Sequence, residues 1–471
     1  MDYSELVIDS FVKSVISPEM AWHYKVVPIE TGEESGFFYF DENADVEKVV
    51  VELGVLTGKK INYELMSSEC MERLLINNYP KTRSNQNQTA KVGADDFVES
   101  IIKESKELGS SDIHIEPYEE GCRVRIRIDG QLVERYQIDR TAYPSIINRI
   151  KIMARLDISE KRLPQDGRIA FNSGSHKFDI RVSILSTLYG EKIVLRILNS
   201  DISNLSLAQL GFDSIDLESF SEAIKQPNGI ILISGPTGSG KTTTLYTTLK
   251  KLNSDTRNIL TIEDPVEYTL EGVNQVQLRE DIGMGFASAM RTFLRQDPDI
   301  IMVGEIRDVD TAKMAIRAAL TGHLVLSTIH TNSAWGIISR LIDMGIPPYM
   351  VADTLNIAVA QRLVRTLCPM CKAKESFDIR MLPKSFKPGS LPEFHFLAKG
   401  CEHCFHTGYK GRKAIYEVIL LNEELKEKIK SADLFIGEYV QESNIRLLAE
   451  QAFSMVLQGE TSIEEAYSLM L

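Results

Sequence analysis

The sequence has no long apolar run. Nothing in it approaches the ~18 consecutive apolar residues that a membrane-spanning helix needs. The longest stretches, such as Gly229–Ile233 and Ile300–Val303, are the length of strands. The opening residues, Met1–Glu5, carry neither the positive charge nor the apolar segment of a secretory leader. The chain therefore reads as cytoplasmic, with any membrane association made through a partner. Cysteine is scarce: six in 471 residues cannot frame a disulfide scaffold, and four of them fall in two C-x-x-C pairs. A surplus of positive charge is missing too. Lys plus Arg is 53 against 66 for Asp plus Glu, a formal net charge of −13. That balance argues against a surface built to grip a nucleic-acid backbone. No internal repeat is visible.

What is present is a globular composition, 43% apolar and 25% charged, which excludes wholesale disorder and collagen-like structure. Residues 1–80 form a small acidic block with apolar stretches at Trp22–Ile29, Phe37–Phe40 and Val49–Leu56 and a helical end at Glu69–Asn78. Residues 81–92, polar and aperiodic, read as a flexible linker. A unit at 93–200 opens with a helical pattern at Phe97, Ile101 and Ile102, then turns to strands. In Arg123–Gly130 polar and apolar residues alternate as in a half-buried strand, and Asp129-Gly130 is a turn signal. Phe178–Val182 and Ile193–Leu198 read as further strands. A less regular connector at 201–226 leads to a unit at 227–365 that alternates strand and helix, the α/β pattern of a mainly parallel sheet. A Cys-rich insert at 366–410 and a helical tail at 411–471 close the chain.

Gly235, Pro236, Thr237, Gly238, Ser239, Gly240, Lys241 and Thr242, followed by Thr243, match G-x-x-x-x-G-K-[ST]. The context fits: Ile230–Ile233 is a buried-strand run and Thr242–Leu252 reads as a helix. The glycines let the backbone wrap phosphates, and N–H groups at the helix start favour an anion. Lys241 would reach the β- and γ-phosphates of ATP, and the Thr242 hydroxyl would ligate Mg²⁺.

Hydrolysis needs more than a cradle. Gln296–Glu305 is a strand ending in an acid, similar to a Walker B element with Glu305 as its carboxylate. Ile259–Tyr268 is another strand, ending in the cluster Glu263, Asp264 and Glu267. A carboxylate at the carboxyl end of a parallel strand stands where Mg²⁺ or an attacking water would lie. A third strand, within Leu320–Thr331, is bracketed by His323 and His330, a pair placed to sense a γ-phosphate.

Together the Asp264 segment, the Glu305 element and the His323/His330 segment resemble the signature set of the bacterial type II secretion and type IV pilus assembly ATPases. The resemblance continues in Ser110–Pro117, Leu156–Arg168, Gly408–Arg412 and Gly459–Ser462. It covers about 95–471 and is weak over 1–80. It implies a RecA-like P-loop ATPase domain preceded by a PAS-like α+β domain and a small N-terminal domain. It also implies a homo-hexamer, recruited to the inner membrane through platform and cytoplasmic-domain proteins that engage residues 1–80. In that family ATP binds between the two larger domains, with arginines reaching the phosphates; by position these are Arg181 and Arg196. Arg291, Arg295, Arg307 and Arg412 fall at further family arginine positions. Glu305 would be the Walker B acid and Glu263 the water-orienting one. Trp335 departs from the family, which usually has a smaller aliphatic residue there; the change is expected to alter helix packing.

Cys368-x-x-Cys371 and Cys401-x-x-Cys404, 29 residues apart, can present four thiolates to one Zn²⁺. Four protein ligands leave no open position, so the metal would be structural. His395, His403 and His406 are nearby competitors. Cys70 and Cys122 read as buried thiols. The insert and the N-terminal block distinguish the chain from pilus retraction ATPases, which resemble the core but lack both. Type II secretion and pilus assembly are not separable at this level. Two alternatives remain: a nucleic-acid motor of the DNA-uptake or conjugation type, disfavoured by the acidic balance, and a zinc-ribbon protein whose P-loop only senses nucleotide.

Overall fold

The computed structural model describes residues 12, 15–32, 35–68, 70–71, 74–75, 79, 88–89, 94–173, 176–198, 205–432, 439 and 445–471. Near the start, β1 (Val26–Thr31), β2 (Ser35–Asp41) and β3 (Lys60–Met66) form a three-stranded sheet. β1 and β2 are antiparallel; β3 returns parallel to β2 through a helix, Val46–Thr57. Phe38, Phe40, Val26 and Leu53 form its own small core.

The second unit is a seven-stranded sheet in the order β4-β7-β6-β5-β10-β9-β8. Its strands are β4 (Gln88–Thr89), β5 (Asp112–Pro117), β6 (Cys122–Ile128), β7 (Gln131–Ile138), β8 (Gln165–Ser173), β9 (His176–Thr187) and β10 (Gly190–Ile197). The alternation predicted for β6 is present: Val124 and Ile126 are buried, and Arg123 and Arg125 are half-buried on the other face. Asp129 and Gly130 both take positive φ, 49° and 85°, as a tight hairpin between twisted strands requires. Helices Ala94–Glu107 and Tyr143–Met153 cover one face, packing Phe97, Ile101 and Ile150 on Ile113, Ile126 and Ile180. Most of 81–92 lies outside the described residues, but Gln88–Thr89 pairs in parallel with Tyr136–Gln137, so that part is sheet edge rather than free linker.

The third unit holds β11 (Gly229–Ser234), β12 (Ile259–Glu263), β13 (Asn274–Gln277), β14 (Ile300–Val303), β15 (Leu324–Ile329) and β16 (Leu355–Leu367). A small antiparallel hairpin, β17 (Lys372–Ser376) and β18 (Phe394–Ala398), follows, then β19 (Tyr409–Leu420). The main sheet runs β13-β12-β14-β15-β11-β16-β19, parallel except for β19. Alternation along β11 divides its residues between two cores. Ile230 and Leu232 join the helices Phe286–Phe293, Val309–Leu320 and Trp335–Asp343, whereas Ile231 and Ile233 join Lys241–Leu252 and Ser214–Ala223. Burial on both faces is why these strands read as continuous apolar runs.

Two expectations are corrected here. The connector 201–226 is structured from 205 onward: Leu207–Leu210 is a short 3₁₀ turn, and Ser214–Ala223 is a helix whose Phe220 is fully buried. The tail from 411 is not helical throughout, because β19 completes the main sheet before the helices Glu423–Lys430 and Leu448–Leu457. One stack explains both. Phe212 lies on Tyr416 of β19 with ring centroids 3.7 Å apart, and the Tyr416 hydroxyl donates to the Leu210 carbonyl at 3.0 Å. The connector therefore supplies core to the strand that caps the sheet. Tyr416→Ala should lower stability by about 3–5 kcal/mol, and Tyr416→Phe by about 1 kcal/mol, measured by urea unfolding. Equal losses in both would place the stabilisation in the hydrogen bond rather than the stack.

Candidate functional site

The carboxyl ends of β11, β14 and β15 lie side by side, because Ser234 pairs with Ile329 and Val303 with Ser327. The Gly235–Thr242 loop leaves the first of these, and helix Lys241–Leu252 follows. Gly235, Gly238 and Gly240 have φ of +151°, +81° and +90°, a region closed to most side chains. At two of them space is also closed. A Cβ on Gly235 would stand 2.5 Å from the Gln361 carbonyl and 2.6 Å from Ser239 Oγ; one on Gly240 would stand 2.8 Å from Gln361 Nε2. Gln361 supports the loop from β16, accepting the Thr244 hydroxyl at 2.9 Å. The Lys241 ammonium donates to the Gly235 and Pro236 carbonyls at 2.7 and 3.0 Å. Burial pushes its pKa down; Glu305 opposes that shift and Arg362 adds to it. The Ser239 hydroxyl is buried with no hydrogen-bond partner among the described residues. A glycine cradle, a lysine and an orphaned hydroxyl are a donor set that fits phosphate oxygens.

Glu305 stands two residues beyond β14, in a segment tied to its neighbours. Ser327 Oγ donates to the Val303 carbonyl at 2.7 Å, Thr328 Oγ1 to Gly304 at 2.8 Å, and the Ile306 N–H to Thr328 at 2.8 Å. The Glu305 carboxylate meets the Arg307 guanidinium on one oxygen and His330 Nε2, at 3.5 Å, on the other. Lys241, Thr242, Glu305 and His330 thus share one edge of the sheet. His323 does not join them. It precedes β15, its carbonyl accepts the Gly229 N–H and its Nδ1 faces the Ala318 carbonyl at 2.8 Å. A strand of six residues separates it from His330 by roughly 20 Å, so the pairing expected for the two histidines does not form around one phosphate.

Glu263 is 4% exposed and surrounded by donors. The Tyr246 hydroxyl donates to one oxygen; Thr261 Oγ1, at 2.6 Å, and Gln275 Nε2, at 3.1 Å, donate to the other. It holds strand and helix together rather than standing free for water. Exposed Asp264 and half-buried Glu267 flank it. Arg181 crosses between units, donating to the Val266 carbonyl at 2.6 Å and meeting Glu267 at 3.4 Å. Arg196 stays on its own sheet, with Nε 2.9 Å from Asp112. Burial would raise the Asp112 carboxyl, but hydrogen bonds from Arg196 and Ser111 hold it below the usual range.

The four cysteines Cys368, Cys371, Cys401 and Cys404 are buried, with all sulfurs within 4.8 Å of one another. Three Sγ pairs are 3.8–3.9 Å apart. Tetrahedral Zn–S bonds of about 2.3 Å place sulfurs about 3.8 Å apart, so the spacing fits zinc and is far beyond a disulfide. The N–H groups of Cys401 and Gly408 point at Cys404 Sγ, both at 3.2 Å. The hydrogen bond from the Cys371 thiol, helped by those N–H groups against burial, holds the Cys404 thiol down at about 4; the same pairing pushes Cys371 up. His395, His403 and His406 are not members of the cluster among the described residues. Cys122 is buried as expected, and Cys70 is half-buried.

Gln361 and Arg362 were missed. Their signal is the apolar run Ile357–Val364, interrupted by two polar residues in mid-strand; a glutamine that is 2% exposed there marks a site rather than a surface.

A glycine cradle, lysine and acid on the carboxyl edge of a doubly covered parallel sheet define a P-loop ATPase. The chain belongs to the type II/IV secretion system protein family, whose model matches residues 87–468. It is 48% identical over 377 residues to the type IV pilus assembly ATPase PilB of Myxococcus xanthus, covering 78% of this chain and 66% of that one. With the type II secretion system protein E of Aeromonas hydrophila the identity is 41% over 449 residues, 89% of each chain. The type IV pilus assembly ATPase TfpB of Acinetobacter baylyi is 41% identical over 97% of this chain and 83% of its own length. Among solved structures, the pilus retraction motor PilT with bound ADP is 26% identical, with TM-score 0.56, covering 79% of this chain and 96% of that one. The Legionella pneumophila ATPase DotB, 22% identical with TM-score 0.61 over 81% of this chain and 96% of its own, shares the fold.

Gly240→Ala should weaken ADP binding by at least about tenfold, because the new Cβ meets Gln361 in a left-handed backbone. Titration with fluorescent ADP measures it; unchanged affinity would mean that the loop does not carry the phosphates.

Proposed function

We propose that the chain hydrolyses ATP at the Gly235–Thr242 loop to drive type II protein secretion or assembly of a type IV pilus. The observation that carries this is Glu305, fixed at the sheet edge between Arg307 and His330 and close enough to oppose the shift of Lys241. Lys241 and the loop N–H groups hold the β- and γ-phosphates, and Thr242 is placed to ligate Mg²⁺, which would neutralise charge developing on them. Glu305 would polarise the attacking water. Arg307 and His330 hold its carboxylate in place. Glu263 acts at one remove, keeping Tyr246 and Gln275 fixed at the neighbouring strand end. Arg181, already reaching the Val266–Glu267 segment, is the arginine best placed to move with the second unit when ATP binds. Arg196 must leave Asp112 to contribute. His323, at the opposite sheet edge, has no part in holding this chain's own triphosphate.

The relatives' names support a cytoplasmic motor that works at the inner membrane through partners. Residues 1–80, whose described part has a separate core, are the proposed partner-binding domain, and a homo-hexamer is the proposed working state. Zinc in the four-cysteine cluster would be structural, closing the 366–410 insert.

Lys241→Ala should abolish steady-state phosphate release, and Glu305→Gln should retain bound ATP while turnover falls at least about 100-fold. Turnover unchanged in Glu305→Gln would remove that residue from the mechanism. Chelation of zinc should speed proteolysis within 366–410 and leave ADP affinity within about threefold, since the loop shares no ligand with the cluster. ADP binding lost in proportion to zinc would contradict a purely structural metal.

A further inference from the structure

The turn after His330 is held from two sides by one β-ribbon. Arg362 on β16 donates from Nη2 to the Asn332 carbonyl at 2.9 Å and from Nη1 to the Gln361 carbonyl at 3.0 Å. Glu417 on β19 accepts the Ala334 N–H at 2.8 Å, at the start of helix Trp335–Asp343, where a carboxylate also favours the helix dipole. Ala360 and Glu417 are register partners, so both charged groups leave the ribbon within two residues of each other. Glu417 is 4% exposed. Burial pushes its carboxyl up against the pull of the Arg362 charge, and burial pushes the Arg362 guanidinium down against the pull of Glu417. Arg362 is half-buried, and each group offsets part of the other's desolvation.

The same guanidinium lies against the phosphate loop. Its Nη1 is 3.1 Å from the point where a Cβ on Gly235 would stand. One planar fork therefore touches the start of the cradle, the strand behind it and the turn that follows the histidine beside Glu305. A lysine ammonium is a single point on a flexible stem and lacks the rigid fork that spaces these two contacts.

We propose that Arg362 is a positioning residue for hydrolysis: with Glu417 it clasps the Asn332–Ala334 turn and so fixes His330 beside Glu305 at the γ-phosphate end of the loop. The diphosphate end is held by Lys241 and the loop N–H groups, which the clasp leaves in place. Loss of the clasp therefore slows turnover and spares ADP binding.

The test uses the full chain with Arg362→Lys, Glu417→Ala and Glu417→Gln, reading kcat, KM for ATP, fluorescent-ADP affinity and melting temperature. Arg362→Lys and Glu417→Ala should each lower kcat by about tenfold or more, with ADP affinity within about threefold of the parent. Glu417→Gln keeps an acceptor for the Ala334 N–H and should recover most of the loss. Unchanged kcat in Arg362→Lys overturns the proposal. So does ADP affinity falling in step with kcat and melting temperature, which marks a role in folding alone. The inference rests on the phosphate loop being the hydrolytic site, which Lys241→Ala reports separately. Turnover surviving Lys241→Ala fails that reading, whereas turnover lost there and kept in Arg362→Lys fails only the clasp.

Discussion

Parallel pairing of β11, β14 and β15 is the constraint on which the rest of the structure depends. Because the strands run the same way and in register, the residues after each of them emerge on one edge. The phosphate loop, Glu305 and His330 are far apart in sequence and adjacent here for that reason alone. The same pairing sends His323 to the opposite edge. Hydroxyls of Ser327 and Thr328 reinforce it, bonding the carbonyls of the neighbouring strand where its ladder ends. A rigid edge suits hydrolysis, in which the protein's task is to position charge and water rather than to form bonds.

The β16–β19 ribbon extends that edge to the rest of the molecule. β16 backs the loop through Gln361, binds the turn after His330 through Arg362, and runs directly into Cys368. Where β19 begins, the Gly411 N–H donates to Asp129 of the second unit at 2.7 Å. The guanidinium of Arg135, also from the second unit, lies 5.0 Å over the Phe405 ring. Phe405 and His406, just past the last cysteine, both have positive φ. The four-cysteine cluster thus lies where the strand behind the phosphates meets the second unit, a position suited to a structural metal.

Much of this was legible in the sequence, and the failures have physical causes. The phosphate loop was legible because its chemistry is local: glycines, a lysine and a hydroxyl within eight residues of a buried strand. Glu305 and the four cysteines were legible for similar reasons of spacing. Tertiary partners decided what was missed. Glu263 looked like a free acid at a strand end, yet Tyr246, seventeen residues earlier, occupies it. The 411–420 run reads as part of a helical tail, although its β-branched and aromatic residues suit a strand; its partner lies about fifty residues away, beyond the cysteine insert. The 201–226 connector lacked a strong period because its helix buries only one narrow stripe, centred on Phe220. Arg196 and Arg181 were indistinguishable by position, and only the fold shows one tied to Asp112 and the other crossing between units.

The most direct measurement is a structure of the chain with Mg²⁺ and a non-hydrolysable ATP analogue. The account predicts the triphosphate wrapped by Gly235–Thr242, its terminal phosphate facing Glu305 and His330, and Arg181 drawn toward it from the second unit. An analogue bound elsewhere, or bound with Glu305 turned away from the terminal phosphate, would contradict it.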